Sequence, residues 1–179
     1  FNIYDTKSIG DNLTGAFVSK SDGSNELDNI AASLSAAYNI GAHTFTLAYQ
    51  KVSGDGDYAY GVDGGGTIFL ANSVARSDFN AEDEKSWQAR YDLNFAEFGV
   101  PGLTFMTRYV SGDNVDLGAG QSEGKEWERN SEIKYVVQSG TFKDVSLRLR
   151  NATYRTNYEK FARDVDETRL IVSYNFSVL

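Results

Sequence analysis

Residues 87–95 read Trp-Gln-Ala-Arg-Tyr-Asp-Leu-Asn-Phe, and every second residue is apolar or small. Successive side chains of an extended strand point to opposite faces, so Trp87, Ala89, Tyr91, Leu93 and Phe95 share one side. Gln88, Arg90, Asp92 and Asn94 share the other. The next segment repeats the pattern, with Leu103, Phe105 and Tyr109 against Thr104, Met106 and Arg108. The last one sets Leu170, Val172, Tyr174 and Phe176 against Arg169, Ser173 and Asn175. Period-two alternation of this kind predicts strands with one greasy and one wet face.

Working outward, the same reading finds about nine segments long enough for a tilted strand to cross a bilayer, which needs roughly 9–11 residues. They lie near residues 1–6, a first segment that looks truncated, and near 12–19, 28–39, 42–53, 85–96, 102–111, 126–138, 143–155 and 166–177. Composition agrees with an all-β class: 17 Gly, 11 Tyr and 11 Phe accompany a single Pro. The absence of Cys removes disulfide and thiolate chemistry. A net charge of -8 argues against a nucleic-acid surface, which needs clustered positive charge. The N-terminal FNIYDTKSIG has neither a basic nor an apolar leader region, so any signal peptide is expected to be removed or to lie outside this segment.

Mean hydropathy is -0.42 and no apolar run could span a bilayer as a helix. Transmembrane barrels escape such scans because their strands average lipid-facing with lumen-facing residues. The alternative is a soluble or surface β-sandwich that binds carbohydrate or protein through its aromatic face. Two features favour a barrel. Connections alternate between tight (KSIGDN, NIGAH, AEFGVPG, QSGTFK) and long (20–27, 54–84, 112–125, 156–165), as short periplasmic turns and long external loops do. Aromatics of the apolar face also fall into two bands: Tyr38, Phe45, Phe95, Phe105, Tyr135, Tyr174 and Phe176 toward the tight turns, and Trp87, Tyr109 and Trp127 toward the long loops. Paired interfacial girdles produce that spacing, whereas a sandwich core places its largest rings centrally.

Residues 1–179 therefore form one domain with no linker. The connection 54–84 is too long for a passive surface loop and carries the apolar stretch Thr67-Ile68-Phe69-Leu70-Ala71, so it is expected to fold back into the pore.

NSVARSDFNAEDEKSWQARYDLNFAEFGVPGLTFMTRYVSGDN (72–114) and DETRLIVSYNFSVL (166–179) together resemble the OprD (Occ) family of substrate-specific outer-membrane porins. The resemblance implies an eighteen-stranded barrel of which this chain is the C-terminal half. It implies a constricting inward loop at 54–84 and passive, substrate-selective diffusion of small carboxylates, such as amino acids and organic or aromatic acids, along a basic ladder. Localisation would be the bacterial outer membrane. Partners would be small carboxylate solutes and the surrounding outer-membrane lipid and lipopolysaccharide, with oligomeric state open. No cofactor or metal is called for. Leu179 departs from the terminal aromatic common in such proteins, although Phe176 lies close by.

On the polar face Arg90, Arg108, Arg148, Arg150 and Arg169 suit the ladder, because a guanidinium stays charged and offers paired donors to a carboxylate. Arg148 and Arg150 share a face, with Arg169 expected one step further along, and Lys134 is a weaker candidate. The plainer reading pairs these cations with Asp92, Glu126, Glu128 and Glu132 on a solvated wall. Asp55, Asp57 and Asp63, with Tyr58 and Tyr60, are candidates to receive the ammonium end of a zwitterion, or are simply turn-formers. The segment lacks the Glu that an EF-hand loop requires at its twelfth position.

An enzyme is not expected. The only His is His43, beside a tight turn and away from the long loops. No Cys/His zinc spacing exists, and Gly64-Gly65-Gly66 is followed by no Lys-Ser/Thr of a phosphate loop.

Overall fold

The computed structural model describes residues 1–8, 27–60, 68–159 and 164–174. They form one antiparallel sheet in sequence order: β1 (Asn2–Lys7), β2 (Asp28–Ile40), β3 (His43–Asp55), β4 (Lys85–Asn94), β5 (Leu103–Val115), β6 (Gly124–Val136), β7 (Val145–Thr156) and β8 (Val165–Tyr174). Each strand pairs with its chain neighbour, and β1 and β8 are the two outer strands of the sheet. A sandwich needs a second layer, and the described residues have only one.

The expected strand 12–19 lies outside the described residues. Among the described residues β1 pairs with β2, Lys7 opposite Asp28 and Asn2 opposite Ser33. The connection from Ser8 to Leu27 therefore joins those strands at the long-loop end, where the Ser8 amide donates to the Leu27 carbonyl at 2.8 Å. The remaining alternation holds: tight links follow β2, β4 and β6, and longer ones follow β3, β5 and β7.

Strand β4 stops earlier than expected. Phe95–Phe98 form a 3₁₀ turn, because the Asn94 side chain accepts from the Ala96 amide at 3.0 Å and Gly99 takes a left-handed φ of 81°. At the other end β5 runs on to Val115, with a bulge between Gly112 and Val115 that leaves Asn114 at φ 64°.

The sheet is inside-out by soluble standards. Leu170 is 72% exposed and Leu47 67%, whereas Gln50, Glu84 and Glu128 are fully buried. Register places Leu34, Leu47, Ala89, Tyr109 and Leu149 on the apolar face. The aromatic bands also stand there: Trp87, Tyr109 and Trp127 contact in series at 5.6 and 5.7 Å, while Phe45 meets Tyr91 at 5.3 Å near the tight turns. Trp127 and Tyr135 on β6 are about 26 Å apart along the strand. That is roughly 20 Å along the normal at a 40° tilt, near the height of a barrel's apolar band. Phe176 lies outside the described residues.

The polar face is covered toward its long-loop end by the described part of the connection 56–84. Asn72 donates through its amide to Gln50 Oε1 (2.9 Å) and through its side chain to Ser86 Oγ (2.8 Å). Gln50 Nε2 donates to the carbonyls of Asp78 and Phe79 (2.8 and 2.7 Å). Glu128 accepts from the amides of Arg76 and Ser77, and Glu126 from Ser77 Oγ. Leu70 and Tyr58 pack on Ala31 and Val52, with Ile68 beside them.

Gly112 permits the closest approach: a Cβ there would strike the Glu84 carboxylate and lie 2.8 Å from Phe79 Cδ1, both from fully buried side chains. Gly112→Val is therefore expected to lift the loop without undoing the strand ladder. Overpacking of about 2 kcal/mol corresponds to a roughly thirtyfold rise in tryptic cleavage after Arg76 of the folded protein. Unchanged digestion would show that the wall does not hold the loop at Gly112.

Candidate functional site

Below the loop, toward the tight turns, cross-strand register assembles cations from five strands. Arg90 of β4 lies opposite Arg108 of β5, and Arg108 opposite Asn130 of β6. One step lower Glu132 faces Arg150, and Arg150 faces Arg169 of β8 directly. Arg169 is thus level with Arg150, not one step further along, because the hairpin register is set by Val145 opposite Tyr174. One step lower again Lys134 lies opposite Arg148.

Most of these cations are engaged. Arg90 grips Asp92 with two bonds, Nε to Oδ2 at 2.7 Å and Nη2 to Oδ1 at 2.6 Å, the bidentate geometry that makes such pairs strong. Glu132 is shared: Arg150 Nε donates to Oε2 at 2.9 Å, and Arg148 Nε lies 3.3 Å from Oε1 without hydrogen-bond alignment. Arg169 holds Glu167 at 2.6 and 2.8 Å. The pairing reading of the sequence thus describes four of the arginines, with Glu167 as a partner that it did not name. Its signal was present, since Glu167 and Arg169 are two apart on one strand face.

Two cations differ. Arg108 donates from Nε to Asn130 Oδ1 at 2.7 Å and, among the described residues, has no carboxylate within ion-pair reach. Lys134 is half-buried and likewise makes no ion pair among them. The cluster sets Arg90, Arg108, Arg148, Arg150, Arg169 and Lys134 against Asp92, Glu132 and Glu167, an excess of positive charge in a chain of net charge -8. Glu128, the nearest further acid, is turned to the loop amides. Sequence reading missed Arg76, whose Nη1 reaches from the loop to Glu167 at 3.4 Å. No local pattern marks it, because its neighbours on the wall come from β6 and β8.

The loop residues fall elsewhere. Tyr58 is buried in the loop's seat, 5.2 Å from Tyr4, and burial raises its phenol pKa. Tyr60 donates to Asp78 Oδ2 at 2.6 Å, which pushes its pKa up to about 12 and keeps it a donor at neutral pH. Asp57 Oδ1 accepts from the Glu82 amide at 2.8 Å. Asp55 ends β3 opposite Asp28, far along the strand from Thr46, the β3 residue level with Arg90. Asp63 lies outside the described residues. His43 stands on the apolar face, 2.8 Å from the Tyr91 hydroxyl and close to Phe45 and Phe98, in a cluster of the tight-turn end.

Comparison with known proteins places this architecture. Residues 1–178 match the family described as outer membrane porin, OprD family. Porin D of Pseudomonas aeruginosa is 48% identical, over all of this chain and 42% of its own length. Porin-like protein GalP of Pseudomonas putida is 41% identical, over 96% of this chain and 40% of its own length. Among solved structures, Pseudomonas aeruginosa OccK10 (OpdN) superposes with a TM-score of 0.82 at 47% identity, over 99% of this chain and 46% of that one. Pseudomonas aeruginosa OprD gives 0.76 at 50% identity, over 89% and 45%. The chain spans about two fifths of the length of the relatives it matches. These relatives are porins, not enzymes, and with the apolar face turned outward and a basic polar face lying beneath a long loop, the chain belongs to the OprD family of outer membrane porins.

Proposed function

We propose that the protein containing this chain is a passive, substrate-selective channel for small carboxylate-bearing solutes. The connection 54–84 narrows the bore, and the cations beneath it form the path. The observation that carries the reading is the cluster Arg90–Arg108–Arg150–Arg169 with Arg148 and Lys134 below it, level by level on one polar face. Partial pairing suits transit. A carboxylate meets an attractive field, yet most guanidiniums are already bonded, so no site holds it too tightly for release. Arg108, with neutral Asn130 as its partner, is the foremost contact, and Glu132 tunes Arg148 and Arg150.

The test is conductance of the full-length protein in a planar bilayer, with reversal potential under a salt gradient and small carboxylates added. A unit charge about 7 Å from a solute in a water-filled lumen is worth roughly 0.6 kcal/mol, or about threefold in local concentration. Arg108→Gln is expected to lower carboxylate flux by about that factor and to shift the reversal potential toward cations. The double change Arg148→Ala with Arg150→Ala should do more, since it also leaves Glu132 unneutralised. Flux and reversal potential unchanged in both variants would remove the ladder.

Glu132→Gln separates the roles of the shared acid. It frees two guanidiniums, so anion selectivity is expected to rise while carboxylate flux falls at high concentration through slower release. A shift toward cations would reverse the assignment.

A further inference from the structure

The long connection after β3 brings a cation of its own to the basic wall. Glu128 accepts from the amides of Arg76 and Ser77, which seats the chain against β6 at that point. From there the Arg76 side chain reaches across β7 to Glu167 of β8, its Nη1 3.4 Å from Oε2. Register puts only the methyl group of Ala152 between Asn130 of β6 and Glu167. Arg169 donates to the same Oε2 at 2.8 Å and holds Oε1 at 2.6 Å. One wall carboxylate is therefore cradled by two guanidiniums, one from the loop and one from the ladder, and the group of three keeps a net positive charge. The described acids of the loop are turned to donors of the loop itself. Asp57 accepts from the Glu82 amide, and Asp78 from the hydroxyls of Ser73 and Tyr60. The charge that the loop presents to β8 is a cation.

We propose that Arg76 is a specificity-determining residue of the path and that it fits the channel to dicarboxylates over zwitterionic amino acids. The inference rests on the reading of this wall as a carboxylate path. Glu167 stands where a solute carboxylate is held, and the solute displaces it. One carboxylate then takes the bonds of Arg76 and Arg169, since a guanidinium matches a planar carboxylate with paired donors. The other meets Arg150, directly opposite Arg169. An ammonium at either position is repelled. The return of Glu167 to its two partners speeds release, so the site passes its solute on. A unit charge about 7 Å from a solute in the lumen changes its local concentration about threefold, and a dianion feels that effect twice, about tenfold in all.

The test is flux through the full-length porin, and block of its single-channel current, with succinate, propionate and zwitterionic alanine as probes. In Arg76→Gln, succinate flux is expected to fall about tenfold and propionate flux about threefold, while alanine passes at least as fast as before. Arg76→Lys, which keeps the charge, is expected to restore the preference for succinate. Glu167→Gln is expected to act in the opposite direction, tightening succinate block at least threefold because the two guanidiniums lose their competing acid. If Arg76 were only a strut tying the loop to β8, Arg76→Gln and Glu167→Gln would behave alike, widening the bore for all three solutes, and the assignment would be overturned. Equal loss of succinate and alanine flux in Arg76→Gln would overturn it too. Arg108→Gln separates this site from the path as a whole. If Arg108→Gln lowers propionate flux while Arg76→Gln leaves the succinate-to-alanine ratio unchanged, the carboxylate path stands and the role of Arg76 falls.

Discussion

Inside a bilayer a backbone amide has no water to fall back on, and each unpaired N–H or C=O costs several kcal/mol. The continuous pairing from β1 to β8, with one bulge at Gly112–Val115, answers that constraint, and the other features hang from it. Pairing every strand with its neighbour fixes the register, and the register sends alternate residues outward. Leu34, Leu47 and Leu149 can then lie exposed on one face while Gln50, Glu126 and Glu128 are buried on the other. In a soluble sandwich the same alternation would turn the apolar face inward against a second sheet.

The loop beyond β3 shows how a polar interior is packed. Its anchors are hydrogen bonds to carboxylates and amides of the wall: Gln50 and Glu128 hold backbone groups of residues 72–79, while Ser86 and Glu126 accept from the side chains of Asn72 and Ser77. Tyr154 also donates to Glu126, joining the far strands to the same network. Burial strengthens each of these bonds and raises the cost of breaking one, so the loop is held as a unit. Tyr158, from the connection after β7, packs with Ala81 and Val115, and burial beside Glu126 and Glu84 keeps its phenol protonated.

The basic wall shows why arginines alone do not specify a path. Asp92, Glu132 and Glu167 each sit on the wall beside a guanidinium, which lowers the net field and spreads it over several levels. A wall with every carboxylate removed would bind anions more strongly and release them more slowly. The arrangement is graded, with Arg108 next to a neutral amide and Arg148 only loosely aligned on Glu132.

Much of this was legible in the residues because strand periodicity is a local property. The alternation in 87–95 determined the two faces, the aromatic bands determined which face meets lipid, and the lengths of most connections determined which end is which. The 3₁₀ turn at Phe95–Phe98 was not separated from β4, since its apolar residues continue the period of the strand. The pairing of β1 with β2 is not legible in either strand, because pairing depends on where the chain returns after a long connection and not on the strand's own pattern. The candidate site divides the same way. That Arg90, Arg108, Arg148, Arg150 and Arg169 share the polar face follows from parity alone. That Arg150 meets Arg169, that Glu132 bridges two arginines and that Arg76 reaches Glu167 follows from register between strands and from the path of a loop. Those are long-range placements, which only the folded sheet decides.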